Sequence, residues 1–126
     1  MAVDPAVAAR FIRERQHQRQ ASLAALEARA RGDARRIIDW IIRTWQPGEV
    51  WQWGSLTRPG QFREWSDIDI AVSGLAGPLD GLRMAETAAT MTSFPVDLVE
   101  LDRIDPRHAK TIRSEGIQLY DRQNGR

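Results

Sequence analysis

Cysteine is absent from the 126 residues, which excludes disulfides, a thiolate metal site and a cysteine nucleophile. No apolar run approaches the ~20 residues that a membrane-spanning helix needs. The N-terminus lacks the basic stretch and apolar block of a signal peptide, so the cytoplasm is the expected compartment. There is no internal repeat, and no low-complexity tract beyond an Arg/Gln/Ala-rich beginning. What is there suits one compact domain of ordinary globular composition, 42% hydrophobic and 28% charged. The net charge of +1 hides an asymmetry: residues 1–36 hold eight arginines against four acids, and the rest is net acidic. The basic end could contact nucleic acid or an acidic partner, or be a solvated arginine-rich helix, which is the commoner case.

Residues 5–31 contain no internal proline or glycine and are rich in Ala, Arg, Gln, Glu and Leu, all good helix formers. Asp4-Pro5 supplies an N-cap and a first-turn proline. Val7 and Phe11 share a face, as do Leu23, Leu26 and Ala30, while Arg13 to Gln20 is polar all round and belongs in solvent or against a partner. Gly32-Asp33 predicts a break, with Asp33 capping a second helix that carries Ile37, Ile38, Ile41, Ile42 and Trp45 and ends before Pro47-Gly48. The expected division is a helical extension over 1–31 and a domain over 32–126. From Val50 the period becomes extended. Strands are predicted at 50–53, 67–72 and 95–101, helices at 79–91 and from Pro106 to Gly116, and an edge strand at 117–120. That order gives an α/β (α+β) fold, a small mixed sheet flanked by helices.

Asp67 and Asp69 carry most of the chemical signal. On a strand, residues i and i+2 share a face about 6.5–7 Å apart, which turns Ile68 and Ile70 to the core. Paired carboxylates repel by about 4 kcal/mol at 4 Å and an effective dielectric near 20, so a cation between them is a natural reason to keep both. An all-oxygen site suits Mg²⁺ or Mn²⁺. Alone, Asp-x-Asp fits a solvent-facing strand equally well. Asp97, flanked by Val96 and Leu98, adds a third carboxylate if its strand pairs beside that of Asp67, and three acids can hold the two metal ions of a phosphoryl-transfer clamp. Asp102 would take its place in another register. Gly54-Ser55, directly after a strand, lets backbone approach a phosphate closely and adds a hydroxyl, although a lone Gly-Ser is a generic turn.

Together, Trp53-Gly54-Ser55-Leu56-Thr57-Arg58-Pro59-Gly60, Trp65-Ser66-Asp67-Ile68-Asp69-Ile70-Ala71-Val72 and Pro95-Val96-Asp97-Leu98-Val99 resemble the DNA polymerase β-like nucleotidyltransferases, and more narrowly their minimal nucleotidyltransferase (MNT) group. The resemblance spans about residues 37–120 and includes Ser114-Glu115-Gly116-Ile117-Gln118-Leu119-Tyr120, similar to that group's C-terminal ending. It implies that Gly54 and Ser55 hold the β/γ-phosphates of a nucleoside triphosphate and that Asp67 and Asp69 ligate metal. Asp97 would complete the site and help activate the acceptor hydroxyl, and Arg58 would match a basic loop position that contacts phosphate. Two departures stand out: eleven residues separate Ser55 from Asp67 where ten are usual, and Trp53 replaces the usual Phe.

The resemblance further implies a nucleotidyltransferase of the toxin–antitoxin kind, an antitoxin moving AMP from ATP with Mg²⁺ onto a HEPN toxin, an RNase. The expectation that no separate acceptor-binding domain is present points the same way, with the 5–31 helix as the partner contact or a homo-oligomer interface. The alternatives are a non-catalytic antitoxin that masks its toxin, and a small-molecule (antibiotic-type) transferase assembled across a dimer; nucleic acid ranks lower. Trp40 and Trp45 read as core or interface, Trp65 as the better candidate for a nucleotide or partner contact, His108 as a surface or capping residue, and His17 has no visible ligand partner.

Overall fold

Asp4 accepts a hydrogen bond from the Ala6 N–H at 2.9 Å, and Pro5 opens the first turn, so helix α1 (Pro5–Trp45) begins on its expected cap. The computed structural model, which describes residues 2–125, carries this helix without interruption for 41 residues, about 60 Å at 1.5 Å per residue. The break expected at Gly32-Asp33 does not occur. Gly32 lies on the exposed side, where its cost is about 1 kcal/mol relative to alanine. The opposite side buries Ala30, Ala34, Ile37, Ile38 and Ile41 in one core, and each fully buried isoleucine gives back more than that. Asp33 caps nothing: its carboxylate takes hydrogen bonds from Arg36 and, at 2.6 Å, from Thr92 Oγ1. The helix stops at Gln46, which adopts a left-handed conformation (φ 45°) ahead of Pro47.

Strand β1 (Glu49–Trp53) follows, then a 3₁₀ turn (Gly54–Thr57), strand β2 (Ile68–Ser73), helix α2 (Asp80–Thr90), strand β3 (Val96–Glu100), helix α3 (Pro106–Glu115) and strand β4 (Ile117–Asp121). The sheet order is β3-β2-β1-β4, with β2 and β3 parallel and the other pairs antiparallel. The crossover through α2 explains the parallel pair, since parallel neighbours need a connection long enough to return. The mixed sheet and the edge strand at 117–121 are as the sequence pattern anticipates.

The two faces of the sheet do different things. Val50, Ile68, Ile70 and Val72 pack with the buried side of α1 and with Met84 and Ala88 of α2. On the other face Trp51, Ala71 and Val99 pack beneath Ala109 and Ile112 of α3. Trp40 and Trp45 lie against the core, as their helical spacing suggests. No helix among the described residues is long and apolar enough to cross a membrane.

Glu49 ties α3 to the sheet. Its carboxylate receives Arg113 Nη2 at 2.9 Å, Ser73 Oγ at 2.7 Å and Trp51 Nε1 at 3.0 Å. The Arg113 hydrogen bond is the largest of the influences that hold this carboxyl down to about 2, against the opposing effect of burial. A depressed carboxyl stabilises the fold above its ordinary value of 4.5 and loses that contribution as pH falls toward 2. Arg113→Ala is therefore expected to lower stability by about 1 kcal/mol at pH 7, a modest figure because the pair is partly exposed. The difference from wild type should narrow as pH falls from 4.5 toward 2, as urea unfolding at pH 7, pH 3 and pH 2 would measure.

Candidate active site

The register of the sheet builds the site. Trp53 on β1 faces Asp69 on β2, and Asp69 faces Asp97 on β3. Lateral partners in a pleated sheet share a face and sit about 4.8 Å apart. One residue pair further along, Trp51, Ala71 and Val99 form the apolar row under α3. The row that holds Asp69 and Asp97 lies beside it: Trp53 still packs against the α3 cluster, Asp69 is half-buried and Asp97 is exposed. Asp67 immediately precedes β2, two residues from Asp69.

The electrostatics confirm the clustering. The Asp69 carboxyl is pushed up from 3.8 to about 7, first by burial, then by the negative charges of Asp97 and Asp67. Asp97 itself is exposed. The alternative acids are elsewhere: Asp102 accepts from the Gly74 N–H at 2.8 Å, and Glu100 pairs with Arg103 at the far end of β3.

Gly54 has to be glycine for two reasons. Its φ is +77°, and a Cβ there would run into the Asp69 carboxylate, with Asp69 Cγ at 2.8 Å. The turn and the carboxylate thus occupy one spot. Ser55 follows, and Thr57 Oγ1 closes the turn by donating to Gly54 O at 2.6 Å. Between this turn and α3 lies a cavity of about 400 Å³, lined among others by Trp53, Ser55, Arg58, His108 and Glu115. Arg58 stands exposed on its rim.

His108 is on the surface, as its sequence context suggests, but it does not cap. Asp105 caps α3 by accepting from the Arg107 N–H at 2.8 Å. His108 instead meets the Trp53 ring edge-on at 5.4 Å and helps wall the cavity. The signal was present in the spacing of His108, Thr111 and Glu115, a polar stripe beside the buried Ala109 and Ile112. Trp65 is 75% exposed on the loop before β2 and does not line this cavity.

The residues present fit a hard divalent cation. Asp69, Asp67 and Asp97 offer only oxygen donors, and Asp69, raised first by burial, also feels the negative charges of Asp97 and Asp67 that a cation would offset. Among the described residues no three acidic or histidine side chains are gathered tightly enough to cage an ion by themselves. Mg²⁺ does not require that, because it is commonly held by one or two carboxylates together with substrate phosphates.

The family model described as Polymerase beta, Nucleotidyltransferase matches residues 36–125. A chain of a toxin–antitoxin crystal structure containing AMP-PNP is 26% identical, covering 71% of this chain and 75% of that one, with a TM-score of 0.58. A structure of a candidate minimal nucleotidyltransferase is 28% identical over 71% of this chain and 91% of its own, with a TM-score of 0.57. A complex of a tri-AMPylated HEPN toxin with its MNT antitoxin from Shewanella oneidensis shares the fold, with 21% identity, 76% of each chain covered and a TM-score of 0.56. No curated protein matches the chain in sequence. Since the family match runs from the last turns of α1 through the whole sheet, well over half of the sequence, this chain belongs to the polymerase β nucleotidyltransferase family and is a nucleotidyltransferase.

Proposed function

We propose that this nucleotidyltransferase moves AMP from ATP onto a hydroxyl of a partner protein, a HEPN-type toxin, and so acts in the cytoplasm as its antitoxin. The observation that carries the reading is the adjacency of Asp69, Asp97 and the Gly54 turn, which sets a carboxylate row directly against the turn that opens on the cavity. Structures of similar chains supply the substrate class: one holds AMP-PNP, and another is a complex with a tri-AMPylated HEPN toxin.

In this scheme the N–H groups and hydroxyl of the Gly54-Ser55 turn orient the β- and γ-phosphates, and Arg58 neutralises charge at the cavity rim. Asp67 and Asp69, with Asp97, hold Mg²⁺ or Mn²⁺, which when bound supplies charge stabilisation to the phosphates. Asp97 accepts the proton of the acceptor hydroxyl. The acceptor oxygen then bonds to the α-phosphorus as the bond to the bridging oxygen breaks, and pyrophosphate leaves.

The outer part of α1 provides a surface for the acceptor protein. Val7, Phe11 and Ile12 are exposed there among Arg10, Arg13, Arg15 and Arg19. A second copy of this helix would set arginine against arginine, which favours a different and acidic partner.

The test is to incubate the protein with Mg²⁺, α-labelled ATP and the product of the adjacent gene, alongside Asp67→Asn. Label on that product, absent with the variant, is the expected result. Toxin neutralisation by Asp67→Asn without any labelling would instead mean masking by binding, and labelling of a small-molecule acceptor alone would remove the protein from the scheme.

A further inference from the structure

The loop that follows the Gly-Ser turn is held from outside the family domain. Glu27 of α1 is nearly enclosed, with its side chain 14% exposed. One of its oxygens, Oε1, accepts from the Gly60 N–H at 3.0 Å and the Phe62 N–H at 3.3 Å. The other, Oε2, takes Arg31 Nε and Nη2, both at 3.4 Å. Arg31 in turn donates through Nη1 to the Leu56 carbonyl at 2.7 Å, one residue past Ser55. These two side chains therefore grip both ends of the segment 56–62, which carries Arg58 and directly follows Ser55. They lie one helical turn apart, so a single face of α1 makes the whole contact.

We propose that Glu27 and Arg31 are positioning residues for the phosphate-binding turn, making the N-terminal helix a clamp on the catalytic loop. The inference rests on the reading above that Ser55 and Arg58 meet the triphosphate. Residues 58–66 have no strand partner; Phe62 anchors the stretch in the core against Phe94, while Gly60 sits at φ +81° with open space around it, so the backbone N–H groups between depend on Glu27. Loop N–H groups without a ladder need another acceptor, and Glu27 is that acceptor. Both residues precede the matched span of 36–125, so the clamp is supplied by the part of α1 outside that match. The Arg19–Glu64 pair also joins α1 to this loop at 3.0 Å, but with side chains 58% and 50% exposed it contributes little.

Amide hydrogen exchange and binding of a fluorescent ATP analogue with Mg²⁺ would test the clamp in the full chain, in wild type, Glu27→Ala, Glu27→Gln, Arg31→Ala and Arg19→Ala. In Glu27→Ala, exchange at Gly60 and Phe62 should quicken by roughly tenfold or more while Ile70 and Val72 keep their protection. The Kd for the analogue should weaken about tenfold. Glu27→Gln, which retains an accepting oxygen, should recover most of both effects, and Arg19→Ala should change neither. If the clamp acts through these contacts, adding Glu27→Ala to the Ser55→Ala/Arg58→Ala pair should weaken binding far less than it does in wild type. Uniformly faster exchange, no change at Gly60 and Phe62, or full additivity with that pair would overturn the proposal. Should Glu27→Ala not fold, Arg31→Ala tests the clamp from its other side, releasing the Leu56 carbonyl and one oxygen of Glu27, and should weaken analogue binding in the same direction. If wild type binds no triphosphate, the functional reading fails while the exchange pattern still decides on the clamp.

Discussion

Asp69→Asn should lower the transfer rate by on the order of 10³-fold and yet raise the melting temperature of the metal-free protein above pH 7. The first effect follows from the metal-holding role proposed for Asp69, whose loss would remove several kcal/mol of transition-state stabilisation. The second follows from the cost of keeping that charge beside two others. In the folded chain the Asp69 carboxyl ionises near 7 rather than 3.8, because of burial and then Asp97 and Asp67. Between those values the unfolded chain has already lost its proton while the folded chain retains it. Stability therefore falls as pH rises from about 4 to about 7, and stays lower above that.

The full shift would correspond to about 4 kcal/mol, but a site open to water on one side screens much of it, leaving about 2 kcal/mol. Asparagine keeps the shape and removes the charge, so in EDTA at pH 8 the variant should melt roughly 8 °C higher. At pH 4 the two proteins should melt together, since Asp69 is then protonated in wild type as well. Millimolar Mg²⁺ at pH 8 should raise the wild-type melting temperature and leave the variant where it was. A variant that melts lower than wild type at pH 8 without metal would show that Asp69 is stabilised by its neighbours and not strained by them.

Which parts of this site the chain announces in its sequence depends on the range over which each is determined. Asp67 and Asp69 are local: two acids alternating with Ile68 and Ile70 can only face away from the core that those isoleucines enter. Asp97 is not local. That β2 and β3 lie parallel follows from the intervening α2, but the register that sets Asp69 against Asp97 is decided by how α2 packs, and one residue of slip would have turned Asp97 away. Gly32 misleads for a related reason. Propensity is a weak local preference, and five buried residues on the far side of α1 override it. Glu27 and Arg31 were unreadable altogether, because an acid and an arginine four residues apart on a polar helix look like an ordinary solvent-facing pair. Only the loop folding back across more than thirty residues gives them partners. His108 is intermediate: its stripe with Thr111 and Glu115 is visible, but the cavity it faces exists only once Gly54 to Arg58 stands opposite.

Gly54→Ala should damage both the turn and the carboxylate it abuts. The left-handed φ of +77° alone costs a non-glycine residue about 1 kcal/mol. The new Cβ would also overlap the Asp69 carboxylate, so either the turn or the carboxylate has to move. The expected outcome is about 3 kcal/mol of destabilisation and a transfer rate reduced by on the order of 10²-fold, since a displacement near 1 Å suffices for that. The two contributions can be separated. Asp69→Ala removes the atoms that the Gly54 methyl would strike, so in that background Gly54→Ala should cost only the backbone strain, about 1 kcal/mol. The difference, about 2 kcal/mol, is a coupling energy that urea unfolding of the four proteins can measure. Equal costs in both backgrounds would mean that the turn and the carboxylate do not share one site. A coupling of the expected size would place the Gly-Ser turn and the carboxylate row in contact, as a single-site transfer of a nucleotide between triphosphate and acceptor requires.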